Sequence, residues 1–201
     1  MLALPAAGPA TSSDDVLAGI QSYWKDLKSY QVPVAMSGSV KVSFISVPFQ
    51  MDGTEYYRAP DQQALRMNNV PSLAKGFENT VSSMGTPETW PLNYTIVLHG
   101  TQQYRHHAAY VLIGTPKNGG NVKTITMLVN AKSYSIETVN FAYNNGATLN
   151  LEFNHKNKSP YHLPQWVALT AKFPQYSGTA TIHYGTYQVN VPIPDSVFVS
   201  S

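Results

Sequence analysis

The sequence predicts an α+β protein whose main element is one strongly curved, mostly antiparallel sheet of about ten strands. Three observations lead there. Val34, Met36, Gly38, Val40, Val42 and Phe44 share one parity while Ala35, Ser37, Ser39, Lys41 and Ser43 share the other, the alternation of a strand with one apolar face. From Asn93 onward nearly every segment reads as strand between turn signals such as Lys117-Asn118-Gly119-Gly120, Asn144-Asn145-Gly146 and Tyr176-Ser177-Gly178. Helical spacing occurs in only two stretches. Roughly ten strands, each turning about three side chains inward, present around thirty residues to the interior, and two short helices can cover only about ten of them. A sheet of that width curls. A half-open or closed barrel with a partly filled interior is therefore expected, and such interiors hold ligands.

In chain order, residues 1–13 are expected to form a tail and residues 14–201 one domain. Met1 to Thr11 is rich in Ala and Pro and lacks the basic start and long apolar centre of a signal peptide. It reads as an ordinary disordered tail or as the trimmed remnant of such a peptide. Ser12 and Asp15 have the spacing of a capping box, and Val16, Leu17, Ile20, Tyr23, Trp24, Leu27 and Tyr30 follow at helical intervals. With no partner helix nearby, that stripe must lie on sheet. A first strand spans Val34 to Phe44, and Val47, Phe49 and Met51 continue the alternation in a second. Asp52-Gly53 then reads as a tight turn or a bulge. Beyond Tyr56-Tyr57-Arg58-Ala59-Pro60 a third short strand holds Leu65 and Met67. Ser72 can cap a helix that runs to Met84, carries Leu73, Phe77, Val81 and Met84 on one stripe and stops at Gly85. Gly76 inside it makes this helix marginal and suits it to a movable plug. After Trp90-Pro91, strands are expected at 93–99, 102–114, 123–130, 134–143, 148–155, 166–173 and 178–189, with His99-Gly100 as a turn. Val191-Pro192-Ile193-Pro194 closes the chain as an extended tail.

Composition narrows the function classes. The chain has 201 residues, a formal charge of +2 and only 12% charged residues, with its lysines and arginines scattered, which argues against nucleic acid as a partner. It has no cysteine, so disulfides, thiolate zinc and cysteine nucleophiles are absent. No apolar run approaches the ~18 residues of a membrane helix. Six histidines raise the question of a metal. His106 and His107, adjacent on a strand, point to opposite faces, and the other four lack ligand spacing. Asp14 and Asp15 belong to a helix start, Asp52 and Asp61 to turns, and Glu137 and Glu152 to polar strand positions. No nucleophile elbow, zinc-protease helix or phosphate loop is present. No catalytic residue, metal or cofactor is expected, and the protein is read as a non-enzyme. The interior is expected to be lined by Val40, Val42, Phe44, Val47, Phe49, Met51, Leu65 and Met67 from the first strands, by Leu73, Phe77, Val81 and Met84 from the plug, and by Ile96 and Leu98. Methionines there would adapt to ligands of variable shape.

The order of elements, the Tyr57-Arg58-Ala59-Pro60 segment before a plug-like helix, and the ending Tyr187-Gln188-Val189-Asn190 followed by Ile193-Pro194-Asp195-Ser196-Val197-Phe198 resemble the LolA/LolB-like superfamily of bacterial periplasmic lipoprotein carriers and lipoprotein-sorting proteins. The resemblance covers roughly residues 14–198. It implies an unclosed barrel with helices over its mouth and a hydrophobic cavity for acyl chains of a lipoprotein or lipid. It also implies an arginine that holds the lid, for which Arg58 and Arg66 are the positional candidates. Expected from it are an exported, periplasmic monomer and membrane-bound donor or acceptor proteins as partners. The alternative is a lipoprotein-sensing or structural module of the same fold that acts through a protein partner.

Overall fold

The computed structural model describes residues 12–68, 70, 89–155 and 160–199. Helix α1 (Ser13–Ser22) starts on the expected capping box: the Ser12 hydroxyl accepts from the Asp15 N–H at 3.2 Å, and the Asp15 carboxylate accepts from the Ser12 N–H at 3.0 Å. Val16, Leu17 and Ile20 bury its apolar face. The helix is shorter than the apolar spacing suggests. Leu27 and Tyr30 fit a strand equally well, and β1 (Ser29–Val42) begins early because Tyr30 and Gln31 find backbone partners on both sides.

A two-residue loop, Ser43-Phe44, turns β1 into β2 (Ile45–Arg58), with Ser43 at φ 55°. Asp52-Gly53 is neither turn nor bulge, because β2 runs straight through it, with Gly53 opposite Val34 on one side and Met67 on the other. A Cβ at Gly53 would lie 2.2 Å from the Arg66 carbonyl oxygen. Glycine is needed there for close approach, not for turning. The next strand is β3 (Gln62–Asn68). The helix expected over Ser72 to Met84 lies outside the described residues.

A short helix, α2 (Trp90–Asn93), leads into β4 (Tyr94–Tyr104), β5 (His107–Pro116), β6 (Val122–Asn130), β7 (Ile136–Tyr143), β8 (Thr148–Asn154), β9 (Trp166–Lys172), β10 (Ser177–Tyr184) and β11 (Gln188–Val189). Two boundaries differ from expectation. His99-Gly100 is a bulge inside β4, where pairing with β5 shifts register, and the turn falls at Arg105-His106 instead. The expected strand over 178–189 breaks after Tyr184, and its end, β11, pairs with β1.

The strand order is β3-β2-β1-β10-β9-β8-β7-β6-β5-β4, with every neighbouring pair antiparallel. Among the described residues β3 and β4 are the two edges, so the curved sheet is an unclosed barrel. It consists of two meanders, β1–β3 and β4–β10, joined where Val34–Lys41 pairs with Ser177–Tyr184. One parity of each strand makes the core on the concave side, as with Tyr30, Val32, Val34 and Met36 on β1 and Leu149 and Leu151 on β8. The β1–β2, β5–β6, β7–β8 and β9–β10 loops gather with α2 at one end of the barrel. The helix α1 packs at the opposite end, where Gly19 abuts Tyr134 and Tyr23 stacks on His162 with ring centroids 3.6 Å apart.

Candidate functional site

An apolar cavity of about 140 Å³ opens on the concave face of the longer meander. Its walls follow from strand parity. Ile96 of β4, Ile125 and Met127 of β6, Val139 and Phe141 of β7, and Leu151 and Phe153 of β8 all turn inward. Trp90 and Tyr94 stand at the α2 end; Trp24, Leu163 and Pro164 stand towards α1. Among the described residues, tyrosine hydroxyls and indole N–H groups are the only side-chain polar groups in this lining, and no ionisable carboxylate, imidazole or ammonium belongs to it.

Gly114 is the wall residue without a side chain. It lies on the inward parity of β5, and a Cβ there would meet Ile125 and Tyr94 only at 3.7 Å, ordinary contact distance. The position could hold a side chain sterically, and its absence leaves room in the cavity. A smaller cavity of about 70 Å³ lies against α1 and shares Trp24, Ile136, Phe153 and Pro164 with the larger one. His155 and His162 line this second lobe. The Ile136 carbonyl holds His155 Nε2 at 2.7 Å, and burial, with His155 as the smaller cause, lowers the pKa of His162.

Behind Tyr30, a wall residue, lies a buried carboxyl. Glu55 is 4% exposed and receives the Tyr30 hydroxyl at 2.6 Å, the Tyr184 hydroxyl at 3.2 Å and the Gln63 amide at 3.5 Å. Burial raises its pKa above the ordinary carboxyl range, and the three donors only partly oppose that. Burial first and the Glu55 charge second push both tyrosine hydroxyls upward. The cluster ties β1, β2, β3 and β10 together beneath the cavity.

The expected lining is redistributed. Ile96 is in the wall, whereas Leu98, Phe49 and Met67 pack half-buried against the core and Met51 and Leu65 are buried within it. Val40 is half-buried, but Val42, Phe44 and Val47 are exposed around the β1–β2 loop and do not line the cavity. Alternation placed Val42 and Val47 on the correct face; β3, however, reaches only to Asn68, opposite Asp52, so Ile45–Met51 has no described neighbour on its outer side. Leu73, Phe77, Val81 and Met84 lie outside the described residues. The main walls come from β6, β7 and β8, whose inward residues carry the same alternation and were readable as an inner face.

Arg58 and Arg66 stand on the convex parity of β2 and β3, and among the described residues both donate to the C-terminal segment. Arg58 donates to the Asp195 carboxylate at 2.6 Å, the Ile193 carbonyl at 3.1 Å and Gln62 at 2.6 Å, and its guanidinium lies 4.8 Å from the centre of the Phe198 ring. Arg66 donates to the carbonyls of Val197 and Val199, each at 2.7 Å.

No protein-family model and no curated protein matches this chain. Solved structures do match over nearly its whole length. A domain from Vibrio parahaemolyticus named for outer membrane lipoprotein sorting is 12% identical, with a TM-score of 0.64 over 92% of this chain and 94% of that one. A LolA superfamily protein from Nitrosomonas europaea is 13% identical, with a TM-score of 0.60 over 95% of this chain and 99% of that one. A DUF1329 family protein from Desulfovibrio piger gives 0.59 at 11% identity, over 92% and 95%. The chain therefore has the unclosed-barrel fold of the LolA superfamily. At these identities the likeness is one of fold.

Proposed function

We propose that this protein is a non-enzymatic, exported carrier or binder that shields acyl chains of a lipid or lipoprotein in the periplasm. The observation that carries this reading is the cavity wall from Trp24 to Pro164, whose described lining is aliphatic and aromatic, without an ionisable carboxylate, imidazole or ammonium. Burial of acyl chain contributes ~0.8 kcal/mol per methylene, so affinity needs length and dryness more than polar contacts. The buried carboxyl of Glu55 stands behind Tyr30 and is bonded to protein donors, which favours a structural over a chemical role. The fold likeness to a lipoprotein-sorting domain supports the periplasmic setting.

The test is binding of a fluorescent fatty acid, with native mass spectrometry of the purified protein for co-purified lipid. Gly114→Leu fills the cavity from a position that accepts a Cβ. Displacing about two methylenes of a bound chain should weaken binding by about tenfold. Wild-type protein that takes up no probe, or a Gly114→Leu variant that binds as well as wild type, would refute the assignment.

A further inference from the structure

We infer that the barrel end carrying the β1–β2 loop is a docking surface for an anionic lipid bilayer. Phe44, at the tip of the loop, is 90% exposed; Ile45 beside it is 62% exposed, and Val42 and Val47 flank them in the open. Leu92 of α2, at the same end, is 70% exposed. Large apolar side chains on projecting loops at one end differ from the scattered exposed residues that any surface carries.

The charges around them identify the occupant. Lys41 of β1 and Lys172 of β9 face Ser177 from either side on the convex face, so they sit two strands apart, about 10 Å. Lys117 and Lys123 flank the β5–β6 loop at the same end. All four lysines are exposed. Among the described residues this end carries no carboxylate. Asp52 and Glu152 sit at mid-strand, Asp14, Asp15 and Asp26 go with α1, Asp61 and Glu137 are at the far end, and Asp195 is on Arg58. Apolar tips among four exposed lysines, with no described carboxylate beside them, match the layering of a bilayer face, acyl region within and anionic headgroups around it. A protein groove would demand shape, and a row of loop tips offers little. Trp90 and Tyr94 of the cavity wall lie at this same end, so a docked barrel would present its cavity towards the membrane.

The test is flotation of the full chain with protein-free vesicles of phosphatidylcholine, with and without about one-third phosphatidylglycerol. Wild-type protein should float with the anionic vesicles, less so with the neutral ones, and less as salt is raised. Phe44→Ser/Ile45→Ser should lose most of the recovery while binding soluble acyl probe as before, since neither residue lines the cavity. Lys41→Glu and Lys172→Glu should each lower partition by about fivefold or more. Gly114→Leu should float like wild type, which separates docking from occupancy of the cavity. Phe44→Trp should shift its emission to the blue on anionic vesicles. Equal recovery of wild type and Phe44→Ser/Ile45→Ser, or no recovery of wild type, overturns the inference. So does recovery only with vesicles that contain native membrane proteins, which assigns the surface to a protein partner.

Discussion

Glu55 occupies a position on the inward parity of β2, between Met51 and Tyr57, where alternation alone would place an apolar side chain. Its pKa in the folded protein is raised. The contribution of such a group is fully present below the ordinary carboxyl pKa, about 4.3, and is lost as pH rises through the folded value. Glu55→Gln should therefore melt higher than wild type near neutral pH, and the gap should shrink on acidification. Thermal melts of both proteins from pH 8 to pH 4 check this. A gap that widens towards acid would show that the three donors outweigh burial. At this scale the inner face was legible: Val34 and Met36, or Leu149 and Leu151, announce it by spacing. The polar exception is not legible as such, because Glu55 in Thr-Glu-Tyr-Tyr looks like an ordinary exposed strand residue. Its parity with Met51 and Tyr57 was the available signal. Gly114 was equally silent, since an empty position in a wall has meaning only once the walls are in place.

Among the elements, glycine marks where sequence signals and structure part. Asp52-Gly53 and His99-Gly100 look like turns because glycine is the commonest punctuation, but within a sheet glycine also serves close approach, as at Gly53, or a bulge, as at Gly100. Local sequence cannot separate these uses; the neighbouring strand decides. The same holds for Arg58 and Arg66, which the sequence offers only as positional candidates for holding a lid; their contacts with the C-terminal segment are not legible until that segment lies across them. That segment, with its 3₁₀ turn at Asp195–Val197, is fastened by arginine donors and by Phe198 beneath a guanidinium. Arg66→Ala removes its bonds to two main-chain carbonyls and should cost about 1–2 kcal/mol. Hydrogen exchange should rise over residues 193–199 more than elsewhere. Uniform exchange across the chain would place the loss in the sheet instead. Gly38 gives a second element-scale test. A Cβ there would lie 2.2 Å from the Thr179 carbonyl oxygen, so Gly38→Val should force β1 from β10 at a cost of about 1–3 kcal/mol. The added exchange should concentrate in β1, β2 and β10.

At the scale of the whole molecule, the curved sheet and its unclosed edges follow from the excess of inward-facing strand residues over helix to cover them, which composition and alternation revealed. The position of the cavity did not follow. Alternation assigns a face but not a height along the barrel, and it was the long β1–β2 hairpin, overhanging short β3, that carried Val42, Phe44 and Val47 out of the interior. The cavity is also divided: Trp24 and Phe153 belong to both lobes. Trp24→Ala should join them and admit longer chains, so that affinity rises with acyl length further than in wild type. Titration with a homologous series of fatty acids measures this, and identical length cut-offs for the two proteins would contradict it. The seam between the meanders has one more consequence, in the order in which the chain becomes available. Residues 34–41 leave any source early, yet half of their pairing is with residues 177–184. The shorter meander can close on itself but cannot join the rest until nearly the last strand arrives, and such distant pairings form late. A chain threaded through a membrane pore from its N-terminus would remain open, and therefore threadable, almost to the end of its passage.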